Sequence, residues 1–188
     1  MVLEEKGIAY KKIEEDLSNL SQELLALHPE GRVPLLVHEV NGRKEVIYQS
    51  TVITEYLDEV FPGIKLMPAS PLERARVRLW TYWCDQLFKP DLDLYKYERP
   101  KMSAQEVGEL EARLHGYFYD WNEALVKSPF LVDAQMTLAD IHLFPFARQF
   151  LRIMPALKGV EKYTALKAWL DTVTSRPSFD RVMEGKKN

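Results

Sequence analysis

The chain has 188 residues, 46% hydrophobic and 28% charged, with a formal net charge of -3 and a single cysteine. This is an ordinary balance for a globular protein that builds its own core, as one domain or two small ones. The charge argues against nucleic acid as a partner, and no apolar run reaches the ~18 residues of a membrane span. Cys84 alone allows no internal disulfide, which suits a reducing cytoplasm.

In chain order, Met1-Val2-Leu3-Glu4-Glu5-Lys6-Gly7 is not laid out as a secretory signal and reads as the last turn of a helix stopped by glycine. Residues 8–13, with Ile8, Tyr10 and Ile13, predict a strand. Residues 17–27 carry Leu20, Leu24, Leu25 and Leu27 at helical spacing, and His28-Pro29-Glu30-Gly31 breaks that pattern. Val33-Pro34-Leu35-Leu36-Val37 is nearly all apolar, the pattern of a strand buried on both faces. Asn41-Gly42 then predicts a hairpin, because both residues tolerate positive φ, and Val46-Ile47-Tyr48 supplies the returning strand. Val52, Ile53, Tyr56, Leu57 and Val60 form one face of a helix, with Ser50 as its expected cap.

Residues 63–70 read as a linker between a mixed α/β half (1–62) and an all-helical half (71–188). Pro71, preceded by Ser70, opens a helix to about Phe88, where Pro90 ends or kinks it before a possible continuation to Tyr97. Ser103 and Glu106 form a capping box for a helix through Leu125. Thr137 and Asp140 open another, and residues 164–174 make the last one before Arg176-Pro177. His28, His38, His115 and His142 have no metal-ligand spacing, so no metal is expected, and Cys84 reads as a buried, inert thiol.

Three segments together resemble the cytosolic glutathione transferases: Gly31-Arg32-Val33-Pro34-Leu35-Leu36, then Tyr48-Gln49-Ser50-Thr51-Val52-Ile53-Thr54-Glu55-Tyr56-Leu57, then Thr137-Leu138-Ala139-Asp140-Ile141. The resemblance implies an α/β plus all-α fold: a thioredoxin-like N-terminal domain, incomplete at its first strand, then a helical bundle. It implies glutathione as co-substrate, a small hydrophobic electrophile as second substrate and a homodimer. Val33-Pro34 matches the family's cis-proline, which presents the Val33 backbone to the cysteinyl part of glutathione. Gln49-Ser50 matches the pair that holds the γ-glutamyl end, and a helix N-terminus suits a carboxylate on physical grounds as well. Arg32 sits where basic residues contact the glycyl carboxylate, for which its planar fork is suited. Gln49 cannot neutralise the tripeptide's ammonium group; Asp85, Asp91 and Asp93 are candidates to do so from a partner subunit. Thr137 and Asp140 match the capping pair of the helical half, a folding role from which loss of the Asp140 cap is expected to cost ~1–2 kcal/mol.

The family's thiol-activating Tyr, Ser or Cys lies at the end of a first strand, for which residues 1–7 have no counterpart. The chain as it stands is therefore expected to be inactive, with that residue upstream of it. Alternatives on the same scaffold are a disulfide reductase, a dehalogenase, or a non-enzymatic interaction module. Bacterial starvation proteins that bind RNA polymerase exemplify the last. Residues 61–68 resemble their linker, although Pro62-Gly63-Ile64 stands where that group has Pro-His-Pro.

Overall fold

A computed structural model describes residues 1–28, 30–153 and 162–184, and the chain divides into two compact units. The first, Val2–Ile64, begins with the short helix α1 (Val2–Glu5), which ends at Gly7 with φ +63°. Helix α2 (Gln22–Leu27) is shorter than its leucine spacing predicts, because the Ser21 hydroxyl caps it by accepting the Leu24 N–H at 3.1 Å. A hairpin follows, β1 (Leu35–Val40) and β2 (Arg43–Tyr48), antiparallel with Leu35 opposite Tyr48 and Val40 opposite Arg43. Asn41 and Gly42 both have positive φ, 53° and 75°, as the two-residue turn requires. Helix α3 (Ser50–Val60) lays Ile53 and Leu57 into the core of this unit.

Two expectations for this unit fail. Residues 8–13 form no strand: a strand exists only as a partner in a ladder, and the sheet among the described residues contains β1 and β2 alone. For the same reason β1 is not buried on both faces, and Val37 is 41% exposed. What ties α1 to α3 is an ion pair. Lys6 Nζ lies 3.1 Å from Asp58 Oδ1, with side chains 0% and 2% exposed, and also donates to the Ile64 carbonyl at 2.8 Å.

The second unit, from Lys65 onward, is helical in its described residues. Helix α4 (Pro71–Trp83) runs through a wider π-turn (Cys84–Phe88) directly into α5 (Lys89–Tyr97). The Lys89 N–H bonds to the Cys84 carbonyl, five residues back, so Pro90 enters one residue into the resumed helix and does not end it. A 3₁₀ turn (Arg99–Lys101) leads to the long α6 (Ala104–Lys127), whose capping box is complete in both directions. Then come α7 (Leu138–Ile153), α8 (Thr164–Thr174) and a further helix that the sequence patterns did not single out, α9 (Pro177–Glu184). Phe88, Phe118, Trp121 and Phe150 are 0% exposed and pack ring against ring at 4.5–6.1 Å between α6, α7 and the π-turn. Cys84 is 1% exposed beside them, and burial pushes its thiol up to about 12. Asn122 on α6 caps α8, its Oδ1 accepting the Ala165 and Leu166 N–H groups at 3.1 and 3.2 Å.

Asp140 does more than cap α7. Oδ2 accepts the Thr137 N–H and hydroxyl at 2.8 and 3.0 Å; Oδ1 accepts the Leu131 N–H at 3.0 Å and the Trp169 indole N–H at 2.9 Å. Burial pushes this carboxyl up, and the four donors oppose that shift. Asp140→Ala strands several buried donors at once, so we expect a loss of about 3 kcal/mol rather than the ~1–2 of a simple cap. In a thermal melt that is a drop of about 6–12 °C, and an unchanged midpoint would refute the network's importance. Lys6→Met leaves the Asp58 carboxylate buried without its cation, expected to cost about 3 kcal/mol. Adding Asp58→Asn should recover part of that loss in the same measurement, and full additivity of the two changes would argue against the pair.

Candidate functional site

The hairpin lies between the two predicted recognition segments: residues 32–34 lead into β1 and Gln49-Ser50 follow β2. Leu35 and Tyr48 are the last paired residues of the ladder; Pro34 directly precedes the one and Gln49 directly follows the other, where the chain turns into α3. Arg32, Val33, Pro34, Gln49 and Ser50 are all exposed, so their backbone and side-chain groups face solvent at one end of the hairpin. The Val33-Pro34 peptide bond is cis. A segment entering β1 in this way offers its Val33 N–H and C=O for strand-like pairing with a ligand's backbone.

On the other side, Gln49 stands at φ 69°, ψ 117°, a region few non-glycine residues occupy. It is the N-cap of α3 and makes no side-chain cap bond, and its carbonyl accepts the Ile53 N–H at 2.9 Å. Ser50 is thus the first helical residue rather than the cap expected from sequence: the turn from β2 into α3 is completed one residue earlier. The first-turn N–H groups of α3 therefore lack a side-chain acceptor from the N-cap, the arrangement that attracts a carboxylate.

The loop before Val33 is held by contacts that the sequence patterns did not show. The Glu30 N–H donates to His28 Nδ1 at 3.2 Å, and the His28 ring meets Tyr48 edge-on at 4.7 Å. Gly31 is buried at φ +59°, where an added Cβ would lie 2.3 Å from Leu20 Cδ1. Arg32 Nε is held by Glu30 at 2.6 Å in an exposed ion pair, so it must leave that carboxylate to meet another. In the second unit Asp91 accepts from Arg113 at 3.0 and 3.1 Å and from Tyr117 at 3.0 Å, and Asp93 accepts from Lys89 at 2.5 Å. Both are committed where they stand, which leaves Asp85 of the three acids; burial raises its carboxyl. Among the described residues there is no group of three or more His, Cys, Asp or Glu that could hold a metal, and no helix long and apolar enough to cross a membrane.

Comparison with known proteins decides the family. Residues 1–60 match the model of the glutathione S-transferase N-terminal domain, and residues 84–177 that of the C-terminal domain. The chain belongs to the glutathione S-transferase family. Its two parts are accordingly a thioredoxin-like unit and a helical unit of that family. It is 31% identical over 229 residues to protein LigF of Sphingobium sp., covering 98% of this chain and 87% of LigF. The crystal structure of LigF, described as a beta-etherase, superposes with a TM-score of 0.81, covering 98% of this chain and 92% of that one. A stringent starvation protein A homolog of Haemophilus influenzae is 31% identical over 179 residues, 95% of this chain and 80% of its own. The glutathione transferase URE2P6 of Phanerochaete chrysosporium, solved in complex with oxidized glutathione, shares the fold at 22% identity and a TM-score of 0.82, covering 98% of this chain and 88% of that one.

The backbone at Gln49 can be tested directly. Gln49→Gly should leave the melting temperature unchanged or slightly raised, whereas Gln49→Val should cost about 2 kcal/mol, because a β-branched residue tolerates that φ poorly. Equal melting temperatures for the two would contradict the positive φ.

Proposed function

We propose that this chain binds glutathione at the shared end of the hairpin and α3. What supports the reading is the cis Val33-Pro34 bond just before β1, with Gln49-Ser50 directly after Tyr48, the residue that pairs with Leu35 at the same end of the hairpin. The Val33 backbone pairs with the cysteinyl part of the tripeptide. The Ser50 hydroxyl and the α3 N-terminus take the γ-glutamyl carboxylate, and Arg32, once released from Glu30, takes the glycyl carboxylate. The activity is that of a cytosolic, homodimeric glutathione transferase acting on a small hydrophobic electrophile. The thiolate sulfur forms a bond to the electrophilic carbon, the leaving group departs with the electron pair of the bond that breaks, and the thiol proton passes to solvent. An ether-bearing substrate is within this chemistry, in keeping with the similarity to a beta-etherase. No residue of this chain is assigned to activating the thiol.

A second reading has its own support: 31% identity to a stringent starvation protein A homolog across 95% of the chain. In that reading the scaffold is a protein-interaction module and the tripeptide site is unused.

Calorimetry with reduced glutathione separates the two. The first reading expects a measurable affinity that falls about tenfold in Ser50→Ala, equivalent to ~1.4 kcal/mol. Equal affinity for both proteins removes Ser50 from the site. No heat with either protein favours the interaction module.

A further inference from the structure

One side chain touches what lies on either side of the hairpin's ladder end. His28, 8% exposed, stands where α2 stops, its own N–H donating to the Leu24 carbonyl at 2.8 Å. Its carbonyl accepts the Gly31 N–H at 2.7 Å, and its Nδ1 accepts the Glu30 N–H at 3.2 Å. One residue thus holds two successive N–H groups of the loop that leads to Arg32, Val33 and Pro34. Those three are themselves exposed, so packing of their own side chains does little to hold them. The same imidazole meets the Tyr48 ring edge-on, 4.7 Å between centroids at 84°, and Tyr48 directly precedes Gln49.

The bond to Glu30 fixes the state of the ring. A backbone N–H can only donate, so Nδ1 carries a lone pair, and the imidazole is neutral with its proton on Nε2. A second proton, on Nδ1, would set two N–H groups against each other at 3.2 Å, and the Glu30 N–H would have to move away with its loop. We propose that His28 is a positioning residue of the glutathione site: its neutral ring holds residues 30–34 in the binding conformation, and its protonation releases them. This rests on the reading of residues 32–34 and 49–50 as that site. Because the neutral ring is the holding form, affinity is full at the alkaline side of roughly pH 5–8, where imidazoles change charge, and falls as the pH drops through that interval. The charged and titratable groups on the surrounding elements are Glu23 on α2, Glu30 and Arg32 on the loop, and Arg43, Lys44, Glu45 and Tyr48 on β2. Side chains of these kinds change charge outside that interval, and Glu30 and Arg32 are paired with each other in solvent.

The probe is S-methylglutathione, whose sulfur has no proton to titrate, and calorimetry measures its affinity at about pH 7 and pH 5. Wild type should weaken by about fivefold between the two. In His28→Asn the amide oxygen accepts the N–H two residues on, as asparagine does in turns, and takes up no proton. That variant should bind within about threefold of wild type at the higher pH and lose nothing at the lower. His28→Phe keeps a ring against Tyr48 without the acceptor, and should be about tenfold weaker at both. Melting curves at both pH values show that each protein is folded, and the Asn comparison stands alone if His28→Phe is not. Without ligand, NMR hydrogen exchange should show the Glu30 amide losing protection at the lower pH in wild type and keeping it in His28→Asn, with α6 amides unchanged. Equal wild-type affinity at the two pH values overturns the proposal. So does a pH dependence undiminished in His28→Asn, or a folded His28→Phe that binds as tightly as wild type. Absence of any wild-type binding is a separate failure: it sinks the glutathione site, and the proposal with it, while the Glu30 amide still reports whether the charge of the ring sets the loop.

Discussion

The helical unit hangs on one carboxylate. Asp140 is 0% exposed and accepts four hydrogen bonds from three places: Thr137 at the start of α7, Leu131 in the loop before it, and Trp169 on α8. A charge so placed is tolerable only because every lone-pair direction is met by a donor, two of them backbone N–H groups that α7 and its loop could not otherwise satisfy. The same constraint aligns the neighbours. Leu138, at the first position of α7, donates its N–H to the Leu66 carbonyl at 3.0 Å, so a residue in the stretch that reads as a linker is packed at 0% exposure in this unit. Trp169 delivers α8 to the same point, and Asn122 fixes the start of α8 from α6.

The first unit has a different logic. Its apolar interior is small, and geometry at the hairpin end does more than mass of core. A two-residue turn sets the register, the register sets which residues face each other six positions away, and a positive φ at Gln49 swings the chain into α3 immediately after the last ladder residue. The exposed residues 32–34 and 49–50 are thus set by backbone conformation rather than by packing. The buried Lys6–Asp58 pair closes the other side of this unit, joining the end of α1 to α3.

What the sequence made legible was local. Asn41-Gly42 announces a turn, Ser103 and Glu106 announce a helix start, and Thr137 with Asp140 announce another, because each acts over four residues or fewer. The likeness of Val33-Pro34 and of Gln49-Ser50 to the family's glutathione-binding segments was legible through resemblance; the register adds only that both flank the same end of the ladder. The misses have one cause, dependence on partners distant in sequence or on a single backbone angle. Residues 8–13 have the composition of a strand but no ladder to join. Ser50 has the chemistry of a cap, yet the turn is completed one residue earlier. Pro90 looks like a helix breaker, but a wider turn before it removes the clash. The ties of Asp140 to Leu131 and Trp169 span 9 and 29 residues, and no spacing rule reaches that far.

Cys84, the sole cysteine, sits at the joint between α4 and the π-turn, 1% exposed, with its thiol pushed up to about 12. A thiol so sheltered is nearly all protonated at neutral pH and out of reach of alkylating reagents. The chain therefore carries its own clock. Any label that reaches Cys84 marks a molecule whose helical unit has opened, so the rate of labelling under native conditions measures how often that unit opens, without a single mutation.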